Sequence, residues 1–218
     1  MWWLVLVAVV LVGCGDSKPA GSAAKEEKQQ APAPPEPVDT RPAIVAFGDS
    51  LTDGYGVPQG QKYTDYLQTA LDEKGLKYRV VNAGVSGDTT GNALDRVASV
   101  VALKPVLVIL EIGGNDGLRG LPVEQTRQNL GQIVTQLQAS GAKVLLWSMT
   151  LPRNYGPRYV RQFEKVYEST GKQYKVKLVP VREFGQVEMQ ADGIHPTGAG
   201  YQKVAPVVLK YVERELTD

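Results

Sequence analysis

From Pro42 onward, short apolar runs alternate with stretches whose apolar residues recur every three and four positions. Ala43 to Phe47, Tyr78 to Val81, Val106 to Leu110, Val144 to Trp147 and Leu178 to Val181 read as strands. The third is an almost unbroken run of Val, Leu and Ile, as a strand covered on both faces requires. Between the runs lie helical faces: Tyr63, Tyr66, Leu67, Ala70 and Leu71; Leu94, Val97, Ala98 and Val101; Leu130, Ile133, Val134 and Leu137. Phe163, Val166, Tyr167 and Thr170 continue the scheme, followed by Tyr201, Val204, Ala205, Val208, Leu209 and Val212. Pro206 falls inside that last face and predicts a kink or a late helix start. Strict alternation of strand and helix predicts a three-layer α/β/α domain, with a parallel sheet of about five strands.

Before Pro42 the pattern is different. Met1 to Val12 is uncharged and apolar, too short for a membrane-spanning helix and suited to the core of a signal peptide. It leads into Leu11-Val12-Gly13-Cys14, which resembles the lipobox at which bacterial lipoproteins are cut and acylated on cysteine. Cys14 is the one cysteine in 218 residues, so no disulfide forms within the chain and lipid is the expected fate of the thiol. No Lys or Arg precedes the apolar run, so either the true start lies upstream or the export signal is atypical. Gly15 to Arg41 is rich in Ala, Pro, Lys, Glu, Gln and Ser, and buries too little to fold. As a coil it would span roughly 30 Å. The division expected is a signal peptide over 1–13, a lipidated cysteine and tether over 14–41, and a domain over 42–218.

Composition removes several function classes. Lys and Arg total 24 against 23 Asp and Glu, so no net field draws nucleic acid or an anionic membrane from a distance. One His and one Cys cannot build a zinc site of the usual kind. The 43% hydrophobic content is that of a soluble globular domain.

The candidate chemistry sits where the apolar runs end. Gly48-Asp49-Ser50 closes the first strand, at the sheet edge where open α/β folds hold their sites. A serine hydroxyl needs a base, and the chain has one histidine, His195, with Asp192 three residues before it to fix the tautomer. A tetrahedral oxyanion needs donors already aimed at it. Gly84, in Asn82-Ala83-Gly84-Val85-Ser86-Gly87, and Asn115, in Gly113-Gly114-Asn115-Asp116, suit that role. The Gly-x-Ser-x-Gly signature of α/β-hydrolases is absent around every serine.

Together Gly48-Asp49-Ser50-Leu51, Gly84, Gly113-Gly114-Asn115-Asp116 and Asp192-Gly193-Ile194-His195-Pro196 resemble the blocks of the SGNH (GDSL-type) hydrolases, in the family order. The stretches around Ser50 and His195 are most similar to the bacterial arylesterase, thioesterase and lysophospholipase branch. The resemblance implies a flavodoxin-like strand order and no metal or organic cofactor. It implies Ser50 as nucleophile, His195 as base and then acid, and Asp192 as its orienter. The oxyanion hole it implies consists of the Ser50 and Gly84 amides and the Asn115 side chain. The substrate expected is a lipid-like or small acyl ester, with a carbohydrate O-deacetylase or a silent envelope lipoprotein as rivals. The protein would lie in the bacterial periplasm, held to a membrane by lipid on Cys14.

Asp53, Tyr55, Gly56, Leu118, Arg119, Leu121, Met149, Leu151, Pro152 and Tyr155 fall in loops near the active edge and are candidates for the pocket wall. Tyr155 and Tyr159, with Arg153, Arg158 and Arg161, could equally form a solvated helix entrance.

Overall fold

The computed structural model describes residues 39–217. The expected signal peptide, Cys14 and nearly all of the tether lie outside the described residues.

Five parallel strands, β1 (Ala43–Gly48), β2 (Arg79–Gly84), β3 (Pro105–Glu111), β4 (Lys143–Ser148) and β5 (Lys177–Pro180), form one sheet in the order β2-β1-β3-β4-β5. Among the described residues seven α-helices connect and cover them: α1 (Ser50–Asp53), α2 (Tyr63–Glu73), α3 (Thr90–Ala102), α4 (Gly114–Leu118), α5 (Val123–Ala139), α6 (Pro157–Tyr174) and α7 (Gly198–Thr217). α2 packs with α7, while α3, α5 and α6 pack in sequence. This is the three-layer α/β/α architecture with the flavodoxin-like strand order. Every residue of β1 is buried, whereas the edge strand β2 is half-exposed.

The predicted faces of α5, α6 and α7 are all buried. On α3 the buried line is Ala93, Val97 and Val100, with Ala98 turned to solvent. α7 starts at Gly198, eight positions ahead of Pro206, so there is no late start. Pro206 lies on the exposed face, where the carbonyl it cannot bond is open to water. β2 runs three residues beyond the predicted Val81, because pairing of Asn82, Ala83 and Gly84 with β1 outweighs their weak strand preference.

Strand order decides where a site can form. The chain moves from β1 outward to β2, then returns past β1 to β3, so the reversal lies between β1 and β3. A crevice opens at such a switch point, outside the carboxyl ends of the strands. Ser50 follows β1 there and Asn115 follows β3.

Candidate active site

Ser50 is the first residue of α1, a single turn whose N-cap is Asp49: its carboxylate accepts from the Leu51 amide at 3.1 Å. First-turn amides of a helix have no partner within it, so the Ser50 N–H is left available beside its own hydroxyl. The imidazole of His195 comes from the loop before α7, with Nε2 2.8 Å from Ser50 Oγ. Its Nδ1 lies 2.6 Å from Asp192 Oδ2. A carboxylate against Nδ1 assigns the proton there, which makes Nε2 the acceptor for the serine O–H.

The three-residue spacing of Asp192 and His195 works because the aspartate folds its own loop. Asp192 Oδ1 accepts from the amides of Ile194 (2.8 Å) and His195 (3.0 Å), while Oδ2 faces the ring. These bonds, the imidazole first, draw the Asp192 carboxyl down to about 2. The Gln190 amide donates to the His195 carbonyl at 2.7 Å, and the Gln190 side chain reaches the carbonyls of Pro196 and Tyr55. The Tyr55 ring stands 4.8 Å from the imidazole.

Asn115 follows Gly113, whose φ of +108° favours glycine and whose missing side chain leaves room for the Tyr167 hydroxyl. Asn115 Nδ2 donates to the Asp88 carbonyl at 2.9 Å and lies 3.4 Å from Asp49 Oδ2. Gly84 stands elsewhere. Its amide donates to Asn82 Oδ1 at 2.9 Å, it packs against the backbone of Asp53, and it lines no part of the cavity at Ser50. Gly87, three residues on, does line that cavity beside Asn115, at φ +88°. Its amide finds no acceptor among the described residues, and its carbonyl is held by Arg119 at 2.9 Å. β2 extends through Gly84, so the glycine that reaches the cavity comes from the loop beyond the strand.

Two side chains that build the site are not apparent from the sequence. Arg96, which reads as an ordinary charge on α3, donates from Nε to Asp88 Oδ2 (2.6 Å) and from its two terminal nitrogens to the carbonyls of Ala83 and Gly48 (2.9 Å each). It lies over the Phe47 ring and ties the end of β1 to the β2–α3 loop. Asp116 is buried, accepts from the amide and hydroxyl of Thr90, and so fixes α4 against α3.

A cavity of about 970 Å³ opens beside Ser50, His195 and Asn115. Of the expected wall, Tyr55, Leu118, Met149, Leu151 and Pro152 line it. Asp53, Gly56, Arg119, Leu121 and Tyr155 do not: Asp53 accepts from Ser86, Gly56 packs on Gln190, and Arg119 holds Gly87. The hydroxyls of Tyr155 and Tyr159 bond the carbonyls of Leu118 and Leu121, bracing that loop, while Arg153, Arg158 and Arg161 are exposed. Trp147, Phe184, Val187 and Tyr201 complete an apolar wall. No group of three or more metal-ligating side chains occurs among the described residues.

Residues 46–203 match the GDSL-like lipase/acylhydrolase family. Esterase TesA of Pseudomonas aeruginosa is 44% identical over 166 residues, covering 74% of this chain and 83% of its own. Thioesterase 1/protease 1/lysophospholipase L1 of Escherichia coli K12 is 35% identical over 181 residues, 79% of this chain and 82% of its own. The crystal structure of the psychrotrophic esterase EstA from Pseudoalteromonas sp., inhibited by monoethylphosphonate, is similar at a TM-score of 0.75 with 30% identity, covering 81% of this chain and 99% of that one.

Proposed function

Because the chain belongs to the GDSL-like lipase/acylhydrolase family and is a serine esterase of the SGNH type, we propose that it cleaves esters through Ser50, His195 and Asp192. The observation that carries this assignment is the unbroken run of hydrogen bonds from Asp192 through His195 to Ser50, ending at the mouth of an apolar cavity. His195 Nε2 takes the serine proton as Oγ attacks the acyl carbonyl, and Asp192 steadies the imidazolium. The Ser50 amide, the Gly87 amide and Asn115 Nδ2 receive the oxyanion, with Gly87 in the place first expected of Gly84. His195 then protonates the leaving oxygen or sulfur, and water enters by the same route to release the acid.

The substrate class we infer is a carboxylic ester or thioester with a lipid-like acyl chain. A 970 Å³ volume is at the upper end for a small-molecule pocket, and walls of Trp147, Phe184, Met149 and Leu151 offer little to a sugar. Each further methylene buried is worth about 0.8 kcal/mol, roughly fourfold in binding. Hydrolysis of p-nitrophenyl esters from acetyl to palmitoyl tests this: kcat/KM rises with chain length until the cavity is full. A profile that peaks at acetyl and falls steeply would move the assignment to a deacetylase.

We further propose export to the periplasm by the 1–13 segment and membrane anchoring through lipid on Cys14, with 14–41 as the tether. The support is the sequence alone: apolar run, cysteine, then a polar Pro-rich stretch. The full chain expressed with labelled palmitate should incorporate the label, and Cys14→Ser should not; equal labelling of the two would contradict the anchor.

A further inference from the structure

Beneath the Ser50 turn lies a second acidic group that the reaction above does not use. Glu111, the last residue of β3, is completely buried, and Asp49 is 2% exposed. Glu111 Oε2 accepts from the Thr52 hydroxyl at 2.8 Å, which ties the acid to the Ser50 turn. A side chain on Gly48 would strike Glu111 Oε2 and the Thr52 hydroxyl, so glycine there makes room for the acid. Asp49 follows directly on Gly48, which packs against Glu111 Oε2, so the two buried acids are neighbours beneath the turn.

Two ionised carboxylates have no proton to share. Glu111 Oε1 meets no donor among the described residues, and no Lys or Arg is hydrogen-bonded to either carboxyl among them. The titratable groups turned toward the pair are Tyr63 from α2, Tyr201 from α7, Tyr167 from α6, Asp88 and His195. The phenols are neutral and Asp88 adds negative charge, so the surroundings favour one proton retained between the two acids. Burial first, then the charge of Asp49, holds Glu111 well above the usual carboxylate range; burial carries Asp49 up to about 6.

We propose that Glu111 is a positioning residue that acts as a neutral carboxylic acid: its proton bonds the Asp49 carboxylate, which in turn holds the Ser50 turn through Leu51 and faces the Asn115 amide. This rests on the roles given above to Ser50 and Asn115. Asp49 spans the two halves of the site, with Oδ1 on the Leu51 amide and Oδ2 near Asn115 Nδ2. Glu111 fixes that carboxylate from below. Glutamine at 111 can make the same donation with a neutral amide; leucine fills the space but cannot.

The test pairs spectroscopy with kinetics. Infrared spectra at pH 8 should contain the carbonyl stretch of a protonated carboxyl in the native protein, lost in Glu111→Gln. Glu111→Gln should keep kcat within about threefold, the scale of one neutral hydrogen bond. Glu111→Leu should lose roughly a hundredfold in kcat with KM little changed, the effect of an ångström-scale misplacement. Absence of the acid band in the native protein, or a Glu111→Gln variant that is folded and as impaired as a leucine variant, would overturn the proposal. If Glu111→Leu does not fold, the band and the glutamine variant decide alone. Ser50→Ala is run alongside: turnover persisting there defeats the Ser50 assignment, whereas the infrared result reports on Glu111 independently.

Discussion

The buried acid and the exposed acid of this site pull stability in opposite directions with pH. Asp49 has an ordinary value of 3.8 and about 6 in the fold, so between those values the native state binds more proton than the unfolded chain. Its contribution therefore falls as pH rises through that window, and the cost is complete above it. Asp192 is the reverse: held at about 2 against 3.8, it stabilises above about 3.8 and that contribution is lost as pH falls toward 2. Urea unfolding of the native protein and of Asp49→Asn at a series of pH values checks the first statement, since the variant should gain relative stability from pH 4 to 7. A constant difference would contradict it. Asn115→Ala should lower kcat on the order of a hundredfold or more while KM changes little, as removal of an oxyanion donor does; steady-state kinetics on one good ester measures both.

Arg96 is the clearest case at the scale of elements. Its three hydrogen-bonded partners belong to the end of β1, the end of β2 and the loop that carries Gly87 and Asp88, so one guanidinium sets the relative position of the Ser50 turn and the Gly87 loop. Lysine cannot reproduce that fork. Arg96→Lys should cost about 1–3 kcal/mol of stability and reduce kcat more than it raises KM; thermal unfolding and kinetics on the same preparation test the two parts. The strands were legible because burial on both faces leaves continuous apolar runs, and the long helices because their repeats span several turns. α1 and α4 were not, since four or five residues cannot display a helical period. The true end of β2 was hidden for another reason: Asn82 and Gly84 are poor strand formers retained by pairing with β1. Gly84 therefore belongs to the strand, and Gly87 is the glycine of that segment that lines the cavity.

Across the whole molecule, parallel topology turns a scattered sequence into a site. Ser50 and His195 are 145 positions apart, yet 2.8 Å separates their side chains, because β1 ends and α7 begins at the same edge of the sheet. Ser50, Asp192, His195 and Asn115 each belong to a short motif visible in the sequence, and the fold brings those motifs to one edge. The cavity wall is not visible there: Trp147, Phe184 and Tyr201 look like core residues in their own segments, and only the assembled sheet brings them round one space. Arg96 and Glu111 were likewise invisible, one resembling a surface charge and the other a strand's last residue. Covalent acylation of Ser50, with His195 as its base, is the step on which the proposed reaction turns. Labelling with a fluorophosphonate, followed by mass spectrometric mapping of the adduct, tests it most directly. A single adduct on the peptide carrying Ser50, absent in Ser50→Ala and greatly slowed in His195→Ala, is the predicted result; an adduct on any other residue, or undiminished labelling in Ser50→Ala, would contradict it.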